Sequence, residues 1–202
     1  MKTYPTISRQ PAYGSSVYTF GKADGSNLRA EWDRKKGFWK FGRRNGLLDD
    51  SNPVLLEAPD LIRAHEDEIG RILVDRRYLK STLFFEFWGD NSFAGNHEPE
   101  PHQVTLIDVA VDKRGILEPR DFVRWFDDVA GVAVLHHGPF DRELEDQIRT
   151  GTLDGMPFEG AVCKGSYVSP GLPLMFKVKT QAWLDRLKTK CGDDEALFER
   201  LR

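Results

Sequence analysis

The stretch VYTFGKADGSNLRAEW, residues 17–32, decides how the first third of the chain is read. Val17, Tyr18 and Phe20 form an apolar, β-prone run, and a second such run extends from Leu28 to Trp32. Asp24-Gly25-Ser26 supplies turn chemistry between them. Asp-Gly between two strands is the commonest short hairpin signal, and on that reading Lys22 is an ordinary solvated lysine. The other reading is a lysine nucleophile presented at the edge where a strand meets a turn.

Outward from this stretch the pattern is mixed. GFWKFGRR (37–44) looks like a third strand, and LIRAHEDEIGRIL (61–73) is predicted helical, with Leu61, Ile62, Ile69, Ile72 and Leu73 on one side. STLFFEFWG (81–89) and QVTLIDVAV (103–111) are strand-like. EPRDFVRWFDDV starts a helix near Pro119 and puts Phe122, Phe126 and Val129 on one face. FDRELEDQIRTG is a second such helix, ended by Gly151. FEGAVCKG (158–165) and LMFKVKT (174–180) are strand-like, and QAWLDRLKTK and DDEALFERLR after them are helical. Strands succeed strands in the first third with no β-α-β alternation, so the expected class is α+β with largely antiparallel sheets.

With 202 residues, 40% hydrophobic and 11% aromatic, the chain can bury a core and suits one domain over residues 1–202. A net charge of −3 and a pI near 6.0 exclude a uniformly basic nucleic-acid coat. Any hold on a polyanion must come from placement. Cys163 and Cys191 have the spacing of neither a zinc site nor a disulfide framework. The N-terminal MKTYPTISRQ lacks the apolar core of a signal peptide, and no run is long enough to span a bilayer. The expectation is a cytoplasmic protein with no membrane partner; the sequence names no oligomeric state.

Polar residues on strands that should feed a core need partners. Five places qualify: Lys22, the pair Arg43 and Arg44, Glu86, Glu159, and the pair Lys177 and Lys179. Lys177 and Lys179 stand at i and i+2 on one strand and so share a face. Glu86 is bracketed by Phe84, Phe85, Phe87 and Trp88, and Glu159 comes directly after Phe158; carboxylates in such company pair with cations or bind a ligand. Taken singly, each is more simply a solvated strand residue, and Lys-Val-Lys alone is an edge strand protecting itself. His97, His102, His136 and His137 lack metal-ligand spacing and are expected in loops or at strand ends, with HEPEPHQ a solvated loop. DRKKGFWKFGRR interleaves Lys35, Lys36, Lys40, Arg43 and Arg44 with Phe38, Trp39 and Phe41, a basic, aromatic pattern suited to single-stranded RNA. Strand alternation assigns at least half of those aromatics to the core.

In order along the chain, KADGSN (22–27), FGRRNG (41–46), FFEFWG (84–89), TLIDVAV (105–111), FEGAVCK (158–164) and FKVK (176–179) resemble the nucleotidyltransferase motifs of ATP-dependent polynucleotide ligases and mRNA capping enzymes. Asn27, and the arginine ahead of Asn45, are more similar to the RNA ligase branch than to DNA ligases. The resemblance implies an α+β nucleotidyltransferase domain that uses ATP and Mg²⁺ or Mn²⁺ to join a 5′-phosphate and a 3′-hydroxyl of RNA.

Carried over, the resemblance makes Lys22 the nucleophile that takes AMP from ATP. An apolar site with neighbouring cations, Lys177, Lys179 and a bound metal, is expected to lower its pKa. Lys177 and Lys179 would hold the α-phosphate. Glu86 would take the ribose hydroxyls, Glu159 would orient a hydrated metal, and both are implied metal-site residues. Asp24 and Gly25 complete the nucleotide motif, and Arg44 with Asn27 would contact the phosphate of the RNA end. Two positions depart from the family. Gly21 stands where a carboxylate usually precedes the lysine, and Ile107 stands where an aromatic usually stacks on adenine, which implies either an aliphatic adenine pocket or stacking by another residue such as Phe20 or Phe158. With FKVK close to residue 202, the expectation is a single domain without the OB-fold or other C-terminal domain of related ligases. The alternatives are a small DNA ligase, a GTP-using capping-type guanylyltransferase, or a non-catalytic nucleotide- or RNA-binding accessory protein. Intact Lys22, Asp24, Glu159, Lys177 and Lys179 speak against the last.

Overall fold

A computed structural model describes residues 2–90, 94 and 100–202. In chain order it contains β1 (Ser16–Gly21), β2 (Gly25–Asp33), β3 (Gly37–Arg43), β4 (Gly46–Leu47), α1 (Ala58–Arg63), α2 (Glu66–Asp75), β5 (Lys80–Trp88) and β6 (Gln103–Val111). Beyond these lie β7 (Gly115–Ile116), α3 (Pro119–Phe126), β8 (Val134–Pro139), α4 (Arg142–Thr150), β9 (Gly160–Ser169), β10 (Leu172–Lys179), α5 (Gln181–Cys191) and α6 (Glu195–Leu201). The strands form two antiparallel sheets, ordered β10-β9-β1-β8 and β4-β3-β2-β5-β6-β7. The class is α+β, as the strand adjacency indicated.

The hairpin reading of residues 17–32 fails. β1 pairs with β8 and β9, whereas β2 pairs with β3 and β5, so residues 22–24 carry the chain from one sheet to the other. The physical reason lies in the partners. β2 runs in register with the long, apolar β5 from Gly25 opposite Trp88 to Asp33 opposite Lys80, and Leu28, Ala30 and Trp32 are buried in the core there. A turn sequence specifies a bend, and apolar pairing decides which sheet the next strand joins.

One face of the larger sheet is covered by helices. Leu28, Ala30, Trp32, Leu83, Phe85 and Phe87 pack there against Ile62, Ile69, Leu73, Phe122 and Phe126. The predicted helix over 61–73 is two short helices. The break at Ala64 and His65 lets Glu66 accept the Phe38 backbone N–H at 2.8 Å while Ile62, Ile69 and Leu73 all stay fully buried. His136 and His137 lie within β8 rather than at a loop, and His102 sits just ahead of β6, bonded to Glu57 and the Asp90 carbonyl. His97 and the start of HEPEPHQ lie outside the described residues.

The other face of the larger sheet meets the smaller one. Lys164 on β9 pairs with Asp108 on β6 at 2.8 Å, both almost fully buried, and Tyr4 donates to the same carboxylate. Tyr4 also packs with Phe84, Ala110, Ile116 and Met175. The N-terminal segment runs along β10, with Ser8 bridged to Phe176. Beside these contacts the sheets part into a cleft.

Candidate active site

The crossover from β1 to β2 opens into this cleft of about 1090 Å³, and every residue of the implied site except Phe158 lines it. Gly21 lies at its edge, where an added Cβ would stand 2.8 Å from the Pro157 ring. A carboxylate-bearing residue before Lys22 would force that ring to shift. The Lys22 backbone N–H then bonds the Gly160 carbonyl at 2.9 Å, tying the crossover to the start of β9.

Glu159 is in the turn ahead of β9 rather than on the strand. Gly160 comes next with φ +137°, and an added Cβ would come within 2.3 Å of the Val178 carbonyl, so only glycine fits against β10 here. The turn aims a 2%-exposed carboxylate at two ammoniums: Lys22 Nζ at 2.8 Å and Lys179 Nζ at 2.9 Å. Lys179 Nζ also lies 3.5 Å from the Trp183 ring centroid and donates to the Leu201 carbonyl at 2.9 Å. Lys177, on the same face of β10, donates to the Arg202 carbonyl at 3.2 Å.

The opposite wall is a row across the larger sheet, with Asn27 paired to Glu86 and Glu86 to Thr105. Gly25 admits the close approach of β2 to β5, for an added Cβ would meet the Phe87 carbonyl at 2.1 Å; its backbone N–H bonds the Glu86 carboxyl. Asp24 accepts from Trp183 Nε1 at 3.0 Å. Arg44 is exposed in the two-residue turn between β3 and β4, at the mouth of the cleft, while Arg43 reaches Asp49 at 3.6 Å. Ile107 is the extra residue where the β5–β6 register shifts, and it packs beside Tyr4. Phe20 lines the cleft with its ring 6.0 Å from Phe122, but Phe158 is drawn away into the cluster of Trp183 and Leu187.

The electrostatics are those of paired opposite charges taken out of water. Burial pushes Glu86 up to about 7, with Glu159 and Asp24 adding to the effect. Burial and Glu159 likewise raise Asp24. Lys177 and Lys179 are both pushed down to about 8, burial being the largest cause and Lys22 a further one. Lys22 departs from expectation. Burial pushes its ammonium down, but Glu159, Glu86 and Asp24 outweigh that and leave its pKa raised. The expected fall counted a bound metal with Lys177 and Lys179; among the protein's own groups the closest charged partner of Lys22 is a carboxylate.

Such a pocket offers an amine nucleophile, an electropositive pair beside it, and three carboxylates. Asp24, Glu86 and Glu159 line one cleft and carry the hard oxygen donors that Mg²⁺ or Mn²⁺ takes. Among the described residues no group of three His, Cys, Asp or Glu side chains stands ready as a metal cage. Sequence reasoning missed Trp183, which joins Asp24 to Lys179, and the Lys164–Asp108 pair. The pair was open to discovery, since a lysine and an aspartate on strands otherwise apolar must find each other. Trp183 on an amphipathic helix gave no such signal.

No protein-family profile and no curated protein sequence matches this chain. Solved structures do. An archaeal ATP-dependent RNA ligase is 16% identical with a TM-score of 0.71, covering 100% of this chain and 56% of that one. A Naegleria gruberi RNA ligase variant with ATP and Mn is 16% identical with a TM-score of 0.61, over 92% of this chain and 59% of that one. The same Naegleria ligase with PPi is 18% identical with a TM-score of 0.59, over 88% and 53%. The chain thus spans little more than half the length of the ligase chains it matches. At these identities the likeness establishes the fold, one shared with part of these RNA ligase chains.

Proposed function

We propose that the chain is the nucleotidyltransferase core of an ATP-dependent RNA ligase, with Lys22 as its nucleophile. The observation that carries this is the Glu159 carboxylate shared by Lys22 and Lys179 at 2.8 and 2.9 Å, in a cleft whose other wall is Asn27 and Glu86. Solved RNA ligases of the same fold, one of them with ATP and Mn, support the nucleotide and the substrate class.

In the first step Lys22 Nζ attacks the α-phosphorus of ATP. The ammonium first gives one proton along its hydrogen bond to Glu159, which frees the Nζ lone pair; a P–N bond then forms, the bond to the pyrophosphate oxygen breaks, and the second Nζ proton passes to solvent. Lys177 and Lys179 face the oxygens on which charge develops, once phosphate displaces the carbonyls of Leu201 and Arg202. Glu86 takes the ribose hydroxyls. Glu159 and Glu86 would hold Mg²⁺ or Mn²⁺, whose contribution is to neutralise the triphosphate. AMP then passes from Lys22 to the 5′-phosphate of an RNA held by Asn27 and Arg44, and a 3′-hydroxyl displaces AMP to seal the strand.

The test is a paired assay with labelled ATP and a 5′-phosphorylated RNA. Wild type should acquire stable label and seal the RNA, whereas Arg44→Ala should keep labelling and lose roughly ten- to a hundredfold in sealing. Equal loss in both steps, or equal sealing of DNA and RNA ends, removes the RNA-specific part of the proposal.

A further inference from the structure

Ahead of Arg43 and Arg44, which line the cleft, β3 carries a surface that the nucleotide chemistry does not use. Residues 34–44 hold Arg34, Lys35, Lys36, Lys40, Arg43 and Arg44 with no acidic residue, in a chain of net charge −3. Within this segment Trp39 is 46% exposed, while Phe38 on one side is buried. The cause is a β-bulge: Trp32 pairs with Phe38 and Glu31 with Lys40, leaving Trp39 as the extra residue and turning its ring out of the core. Lys36 Nζ lies 4.7 Å and Lys40 Nζ 5.6 Å from the ring centroid.

The register also places this ring relative to the cleft. Lys40 is opposite Glu31, which shares a face of β2 with Asn27, four residues away. At about 3.3 Å per residue the bulge lies roughly 13 Å from Asn27 along the sheet. That span is about four nucleotides of a stacked strand. An exposed indole flanked by ammoniums suits a base with its adjoining phosphates, since stacking is indifferent to sequence and the cations meet the backbone. An apolar protein partner would have to desolvate both lysines.

We propose that Trp39, with Lys36 and Lys40, is a stacking platform for a base of single-stranded RNA, about four nucleotides from the end that reaches the cleft. The link to the cleft rests on the proposed ligase function; the RNA contact itself does not.

The experiment titrates a twelve-nucleotide single-stranded oligouridylate carrying a terminal fluorescein with the whole protein, without ATP, with affinity read from the anisotropy of the label and, in wild type, also from tryptophan fluorescence. Wild type should be quenched on binding, and Trp39→Ala should bind roughly five- to a hundredfold more weakly, with Trp39→Phe retaining most of the affinity. Lys36→Gln combined with Lys40→Gln should reduce the slope of log affinity against log salt by about 1.4. Trp39→Ala should take label from ATP as wild type does. Unchanged oligouridylate affinity in Trp39→Ala overturns the platform, as does a loss traced by sedimentation to a change in self-association. If wild type never takes label yet Trp39-dependent binding persists, the ligase proposal fails and the platform stands.

Discussion

Lys22 and Glu159, far apart in the chain, meet at 2.8 Å, and the second oxygen of Glu159 meets Lys179 at 2.9 Å. A single 2%-exposed carboxylate therefore serves two ammoniums, of which Lys22 is 20% and Lys179 6% exposed. Removing Lys22 leaves Glu159 paired. Removing Glu159 leaves a buried ammonium without its counter-charge.

That asymmetry sets an order of stabilities. Lys22→Ala is expected to lose about 1 kcal/mol, whereas Glu159→Ala is expected to lose about 3–5 kcal/mol, the usual consequence of stranding a buried charge. Urea unfolding of the two variants measures the difference. Equal losses, or the reverse order, would show that Glu159 is not shared as described.

The depressed lysine pair gives nucleotide binding a pH dependence of definite sign. Lys177 and Lys179 titrate near 8, so each carries its charge below that pH and loses it above. Affinity for a non-hydrolysable ATP analogue is expected to fall as pH rises through 8, and Lys177→Arg, which stays charged, should flatten part of the fall. Lys22 behaves in the opposite sense: its raised pKa means that labelling should speed up as pH rises over the same range. Calorimetry and labelling rates that move together with pH would contradict these assignments.

Glu86 links the site to stability. Its carboxyl is pushed from 4.5 to about 7, burial being the main cause, so the folded protein binds the proton more tightly than the unfolded chain. A raised carboxyl pKa favours the folded state below the unfolded value, and that contribution is lost as pH rises through the folded one. The window is therefore from 4.5 to about 7, and the loss is roughly 3 kcal/mol at most. Glu86→Gln should remove it, so wild type should lose ground to the variant on thermal unfolding across that window. Parallel profiles would mean that Glu86 ionises normally.

The sequence was most legible where one element determined its own pattern. β6 runs over Gln103–Val111, the span its apolar run indicated, and α4 ends at Gly151, which adopts φ +76°. Pairing was less legible, because Asp24-Gly25 specifies a bend while β5, far along the chain, decides which sheet β2 joins. The carboxylate beside Lys22 was hidden for a related reason: strand patterns show which residues turn inward but not which of them become neighbours. Gly21 and Gly160 show the converse, since their lack of a side chain is explained only by Pro157 and the Val178 carbonyl lying against them.

The most direct measurement is the position of the covalent nucleotide. Wild-type protein incubated with ATP and Mg²⁺, then digested and mapped by mass spectrometry, is expected to carry one AMP on Lys22 through an acid-labile P–N bond, and folded Lys22→Ala is expected to carry none. AMP on any other residue, labelling of Lys22→Ala at the wild-type level, or a folded wild type that takes no AMP would contradict the assignment of Lys22 as nucleophile.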